Sequence, residues 1–170
     1  MKKREKLFNE VESVRVIAGY SKKSINSNDS EWDLDEAKLK VILNSVKYYE
    51  VAEGHGPVNA LDNAIRKILV KAEFDRLIVD KGYSSQKKFK SLTQQELDDK
   101  TLEIAKKKVD TIKLESYSVV KLGGQDTASE VIITLRMVSE DKSVGSIVSS
   151  TNVLEASFKA LTDCYQQLLK

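Results

Sequence analysis

The order strand–strand–strand–helix occurs twice in this chain, and that repetition limits the fold more than any single motif does. "SVRVIAGY" (13–20) alternates and is β-branched, which favours a strand. "EAKLKVIL" (36–43) puts Ala37, Leu39, Val41 and Leu43 on one face and Lys38 and Lys40 on the other, the period of a half-buried strand. Asn44 and Ser45 turn the chain, and "VKYYEVAE" (46–53) follows as a third, antiparallel strand. Gly54 to Pro57 punctuates. Val58, Leu61, Ile65, Ile68 and Leu69 then fall on one helical face. Pro57, the only proline, suits the first helical position, where a missing N–H is no loss.

The second half repeats the order. "IKLESYSVVKL" (112–122) and "SEVIITLRMVSED" (129–141) read as strands, with Val131, Ile133, Leu135 and Met137 on one face. Asp141 and Lys142 turn the chain into "SVGSIVSS" (143–150). Asn152, with Glu155 three residues on, starts a helix whose apolar face is Leu154, Phe158, Leu161, Tyr165 and Leu168. Ala156, Ala160 and Cys164 form a second stripe of small residues.

Between the halves, residues 71–111 are rich in Lys, Asp and Gln and carry no strand alternation. "TQQE" (93–96) has the spacing of a capping box and predicts a helix over about 94–109. The expected fold class is therefore α+β. It has two βββα units (13–70 and 112–170) related by a pseudo-two-fold. Each is an antiparallel sheet with one helix on it, and a helical segment is inserted at 71–111. Two three-stranded halves bury too little apart, so they should form one domain over 13–170. Residues 1–12 read as a tail or linker, and the polar loop after the first strand carries Trp32 as a candidate anchor.

Composition narrows the function. With 28 basic and 26 acidic residues, the chain has no charge excess to draw it to nucleic acid or an anionic membrane. Only 6% of it is aromatic, which leaves RNA binding on a sheet face a weak alternative. No apolar run reaches the roughly 18 residues of a membrane helix. The single cysteine cannot form an intramolecular disulfide, which points to a reducing, cytoplasmic setting. One histidine and no nucleophile–base pair give no catalytic residue, no metal site and no cofactor site. The Gly54/Gly56 pair lacks the third glycine and the Lys-Ser/Thr of a phosphate loop.

"GHGPVNALDNAIRKIL" (54–69) resembles the signature of the regulatory domain of 2-isopropylmalate synthase and its relative citramalate synthase. In that family the helix opens Gly-Asp/Asn-Gly-Pro-Val-Asp-Ala. "LESYSV" (114–119) matches its Leu-x-x-Tyr-Ser-Val strand, and an alternating strand, a glycine strand and a helix follow in the same order. The resemblance covers about 13–70 and 112–170. It implies paired βββα units that form a homodimer and bind leucine or isoleucine near the helix starts. They would exert feedback inhibition on a catalytic barrel that condenses acetyl-CoA with a 2-oxo acid. The barrel, at roughly 250 residues, is not in this chain. The chain is thus a fragment of such an enzyme or a free-standing regulatory domain.

An amino-acid effector brings a carboxylate, an ammonium and an apolar side chain. Helix starts suit the carboxylate, because unpaired N–H groups and the positive dipole end converge there. Val58, Asn59 and Ala60 offer N–H groups, Pro57 cannot, and Gly54 and Gly56 allow close backbone approach. The helix start at Asn152 offers a similar site. Val58, Leu61, Tyr117, Val119 and Ile147 are candidates for the apolar pocket. His55 and Asn59 stand where the family often has acidic or amide residues, so the ammonium partner is missing from its usual place; Asp62, one turn on, could replace it. A structural dimerisation module with a degenerate site is the alternative that these departures favour.

Overall fold

The structure, a computed structural model, describes residues 7–17, 34–81, 93–123, 129–140 and 142–169. Trp32 and the expected first strand beyond Ile17 lie outside them. The elements run β1 (Glu10–Ile17), β2 (Asp35–Leu43), β3 (Val46–Gly54), α1 (Pro57–Lys81), α2 (Gln94–Asp110), β4 (Ile112–Lys121), β5 (Val131–Ser139), β6 (Lys142–Ser150) and α3 (Val153–Leu168). Two antiparallel three-stranded sheets result, ordered β1-β2-β3 and β4-β5-β6. This is the α+β architecture of paired βββα units.

Alternation decides which face of each sheet is covered. On β2, Ala37, Leu39 and Val41 are fully buried, as are Ile133, Leu135 and Met137 on β5. Helix α1 packs on β2 and β3, α3 packs on β5 and β6, and the two helices touch. All these side chains join one core that spans both halves. Ala156, Ala160 and Cys164, the small stripe of α3, are wholly buried, so close approach is what that stripe provides. The β2–β3 hairpin turns at Asn44 and Ser45, both at positive φ, as a two-residue primed turn requires.

The two units share a detail finer than element order. A β-bulge interrupts β1 between Val11 and Ser13 and β4 between Leu114 and Ser116. The bulged residues are Glu12 and Glu115, inside "VESVRV" (11–16) and "LESYSV" (114–119). Each glutamate pairs with a base on the central strand of its sheet: Glu12 with Lys40 at 3.3 Å and Glu115 with Arg136 at 3.6 Å.

Three boundaries differ from expectation. Strand β1 begins at Glu10, and Phe8 is buried and stacked on Phe158, so packing starts inside the segment expected to be a tail. The extra residue at Glu12 breaks the alternation that would have revealed this. Lys142 is the first residue of β6, paired with Ser139, and is not part of the turn. Helix α1 does not stop near residue 70 but continues to Lys81. Its extension buries Leu77 against Leu97 and Ala105 of α2, with Val70 and Phe74 packed alongside, a small second core. Helix α2 opens on the expected capping box: the Thr93 hydroxyl accepts from Glu96 N–H, and Glu96 Oε2 accepts from Thr93 N–H at 2.8 Å.

Candidate functional site

The β3–α1 junction is unusually tight. A Cβ on Gly54 would lie 2.3 Å from the Ala60 nitrogen and 2.7 Å from its Cα, so only glycine lets the first turn of α1 fold back onto the strand. Gly56 has φ +109, which closes the turn before Pro57. The His55 N–H donates to Asn59 Oδ1 at 3.0 Å, and Ala60 N–H to Gly56 C=O at 3.0 Å. The N–H groups of Val58 and Asn59 have no acceptor among the described residues, and α1 has no acidic residue in its first turn. This helix start is open.

The start of α3 is closed. Asn152 Oδ1 accepts from the N–H groups of Leu154 (2.9 Å) and Glu155 (3.1 Å), the ordinary N-cap. Glu155 also places a carboxylate in that first turn. The two helix starts, equivalent in sequence order, are therefore not equivalent as anion sites.

A groove of about 670 Å³ lies beside the open start. His55, Gly56, Pro57, Val58 and Asn59 form one wall, and Ile112, Leu114 and Tyr117 face them from β4. Tyr117 is fixed by its hydroxyl, 2.8 Å from Ser157 Oγ. Ser157 donates its own proton to Val153 C=O, so Tyr117 is the donor to Ser157.

The floor is polar. Asp62 is 7% exposed; its Oδ2 accepts from Arg66 Nε at 2.9 Å and its Oδ1 from the buried Tyr165 hydroxyl at 2.6 Å. Arg66 also donates from its two terminal nitrogens to Val109 C=O (3.2 Å) and Ile112 C=O (2.6 Å), and its guanidinium lies 5.7 Å from the Tyr165 ring centre. Burial opposes the Arg66 charge, and Tyr165 and Asp62 outweigh it. Burial, then the Asp62 carboxylate, pushes the Tyr165 phenol far above its ordinary range, so it remains a donor. Helix α1 is thereby pinned to α3 and to the α2–β4 junction. Asp62 is spent on these contacts and is not the free ammonium partner that the sequence suggested.

Of the expected effector residues, His55, Gly56, Pro57, Val58, Asn59 and Tyr117 come together in the groove. Gly54 and Ala60 sit buried behind it. Val119 does not line it. Ile147 pairs with Thr134 and is 74% exposed on the sheet face away from α3, while its neighbour Val148 takes the inward position. Asn152 caps α3 beside a second, more apolar groove of about 760 Å³, lined by Leu7, Phe8, Val11, Val14, Val16 and Phe158 among others. Arg66 and Asp110, both in the first groove, escaped sequence reasoning. Their signal was only positional: Arg66 lies one turn after Asp62, and Asp110 immediately precedes β4. Among the described residues no group of His, Cys, Asp and Glu could hold a metal ion, and no helix is long and apolar enough to cross a membrane.

(R)-citramalate synthase of Geobacter sulfurreducens is 29% identical over 143 residues, covering 84% of this chain and 21% of that protein. (R)-citramalate synthase of Synechocystis is 29% identical over 128 residues, covering 75% and 17%. The chain thus spans about a fifth of the length of these relatives. The family model of the LeuA allosteric (dimerisation) domain matches residues 3–83 and 99–169, leaving out between its two segments only 84–98. Most of α2 therefore falls inside the matched segments. With matched segments covering both βββα units, the chain belongs to the LeuA allosteric (dimerisation) domain family.

Proposed function

We propose that this chain is the regulatory module of a citramalate or 2-isopropylmalate synthase-type enzyme, and that it binds leucine or isoleucine in the groove at the start of α1. The observation that carries this reading is the contrast between the two helix starts. Among the described residues the Val58 and Asn59 N–H groups of α1 have no acceptor, whereas Asn152 takes those of Leu154 and Glu155 at α3, and the groove beside the α1 start carries Leu114 and Tyr117 in its lining. Donors at a helix start take the effector carboxylate, and the wall takes the branched side chain. The effector would inhibit a catalytic barrel on the same or a partner chain by favouring one arrangement of a homodimer, which requires unequal affinity for the two arrangements.

Thermal melting with leucine, isoleucine and valine tests the proposal. A ligand of the native state must raise the midpoint, by about 2.7 kcal/mol of stability at a hundred times its Kd. Unchanged melting at millimolar concentrations of all three would refute effector binding. One observation favours a purely structural dimerisation module: Asn59 folds its side chain back onto the His55 N–H instead of leaving it to a ligand. Dimerisation without any ligand-dependent shift is the outcome that this second reading predicts.

A further inference from the structure

The groove holds a carboxylate with no direct partner among the described residues. Asp62 and Arg66 form an ion pair at 2.9 Å, and each guanidinium nitrogen donates one hydrogen bond, to Asp62, Val109 C=O and Ile112 C=O. Asp110 also lines the groove, close enough to Arg66 to act on its charge, yet among the described residues its carboxylate makes no hydrogen bond and no salt bridge. Two carboxylates thus stand near one guanidinium, and only that of Asp62 is hydrogen-bonded to it. Lys113 borders the groove too, but it pairs with Val138 while Leu114 pairs with Met137. Strand alternation directs its side chain to the opposite face.

The position of Asp110 is fixed although its side chain is exposed. It is the last residue of α2. Arg66 holds the carbonyls of Val109 and Ile112, on either side of it, and both of those residues are buried. Its backbone is therefore clamped to α1, the helix whose open start forms the facing wall. The groove's free carboxylate, open N–H groups and apolar wall match the three parts of an aliphatic α-amino acid.

We propose that Asp110 is the specificity-determining residue of this groove: it receives the ligand's ammonium, so the site selects aliphatic α-amino acids over the corresponding 2-oxo acids. This rests on the effector reading above and gives helix α2 a part in it. A 2-oxo acid shares the carboxylate and the side chain but puts a carbonyl oxygen against Asp110, an acceptor against an acceptor. Discrimination of roughly tenfold or more is expected from a charge-assisted hydrogen bond.

Calorimetric titration of the protein and its Asp110→Asn variant with leucine, isoleucine, 4-methyl-2-oxopentanoate and 3-methyl-2-oxopentanoate tests it. Wild type should prefer the amino acid at least tenfold. In Asp110→Asn that preference should collapse because amino-acid affinity falls while 2-oxo-acid affinity holds. Asp110→Glu should restore part of it. Equal loss for both ligand classes would mean a merely structural role and overturn the proposal, as would an unchanged ratio. Either result leaves the effector reading standing, whereas no binding of either amino acid to wild type overturns both.

Discussion

Replacing Gly54 by alanine perturbs the tightest point in the molecule. The added Cβ would meet backbone at 2.3 Å, where ordinary contact begins near 3.4 Å, and the atoms it meets are the Ala60 nitrogen and Cα and the Asn59 carbonyl carbon. None belongs to a flexible side chain that could swing away. Helix α1 must retreat by about 1 Å, against a core in which Ala60, Leu61 and Ala64 are fully buried. Overpacking typically costs about 1–3 kcal/mol, and a backbone clash belongs at the upper end, near ~3 kcal/mol. For a chain of this size that corresponds to a fall of about 6–12 °C in the melting midpoint. The retreat also displaces Val58 and Asn59, so leucine or isoleucine should bind at least tenfold more weakly. Gly56→Ala is the control. Nothing lies within 4 Å of its Cβ, and only φ +109 opposes it, which predicts a smaller loss of about 1–2 kcal/mol. A Gly54→Ala variant that melts within 2 °C of wild type would refute the close packing of β3 against α1.

Other consequences follow from the polar contacts and from the free thiol. Tyr165→Phe leaves Asp62 Oδ1 without its 2.6 Å donor in a buried site; it should cost about 1–3 kcal/mol by urea unfolding. Glu73 bridges the two long helices, accepting from Arg76 on α1 and Lys108 on α2. Burial raises its pKa, but these two cations lower it further, to a net value below the usual range. Its contribution is therefore present above an unfolded pKa of about 4.3 and is lost as pH falls through the lower folded value. Glu73→Gln should flatten the dependence of stability on pH between about 5 and 3, and an unchanged slope would remove Glu73 from the account. Cys164 is fully buried, and burial with Asp163 pushes its thiol up to about 11. It should be inert to a thiol reagent in the native protein and react only on unfolding, and prompt labelling without unfolding would contradict that.

Where one face is buried, the fold could be read directly. Ala37, Leu39 and Val41 announce β2, and Thr93 with Glu96 announces α2, because alternation and capping are local. The length of α1 was hidden because Phe74 and Leu77 serve a second core whose partners, Leu97 and Ala105, lie beyond the polar stretch that suggested an ending. The start of β1 was hidden by its bulge. The site was half legible. "GHGPVNA" identifies the helix start, but cannot show that Asn152 caps its own helix while the α1 start stays open. Ile147 and Val148 are adjacent apolar residues, and only the β5–β6 register decides which one faces inward. Arg66 and Asp110 meet across 44 positions of sequence, through contacts to Val109 and Ile112 that no local pattern encodes.

The central claim is that the start of α1, and not that of α3, receives the effector. Amide ¹H–¹⁵N spectra recorded during titration with leucine and isoleucine measure this directly. The account predicts that the largest shifts fall on Val58 and Asn59, with a second group from Asp110 to Tyr117. Shifts concentrated on Val153 to Glu155, or none at saturating amino acid, would contradict it.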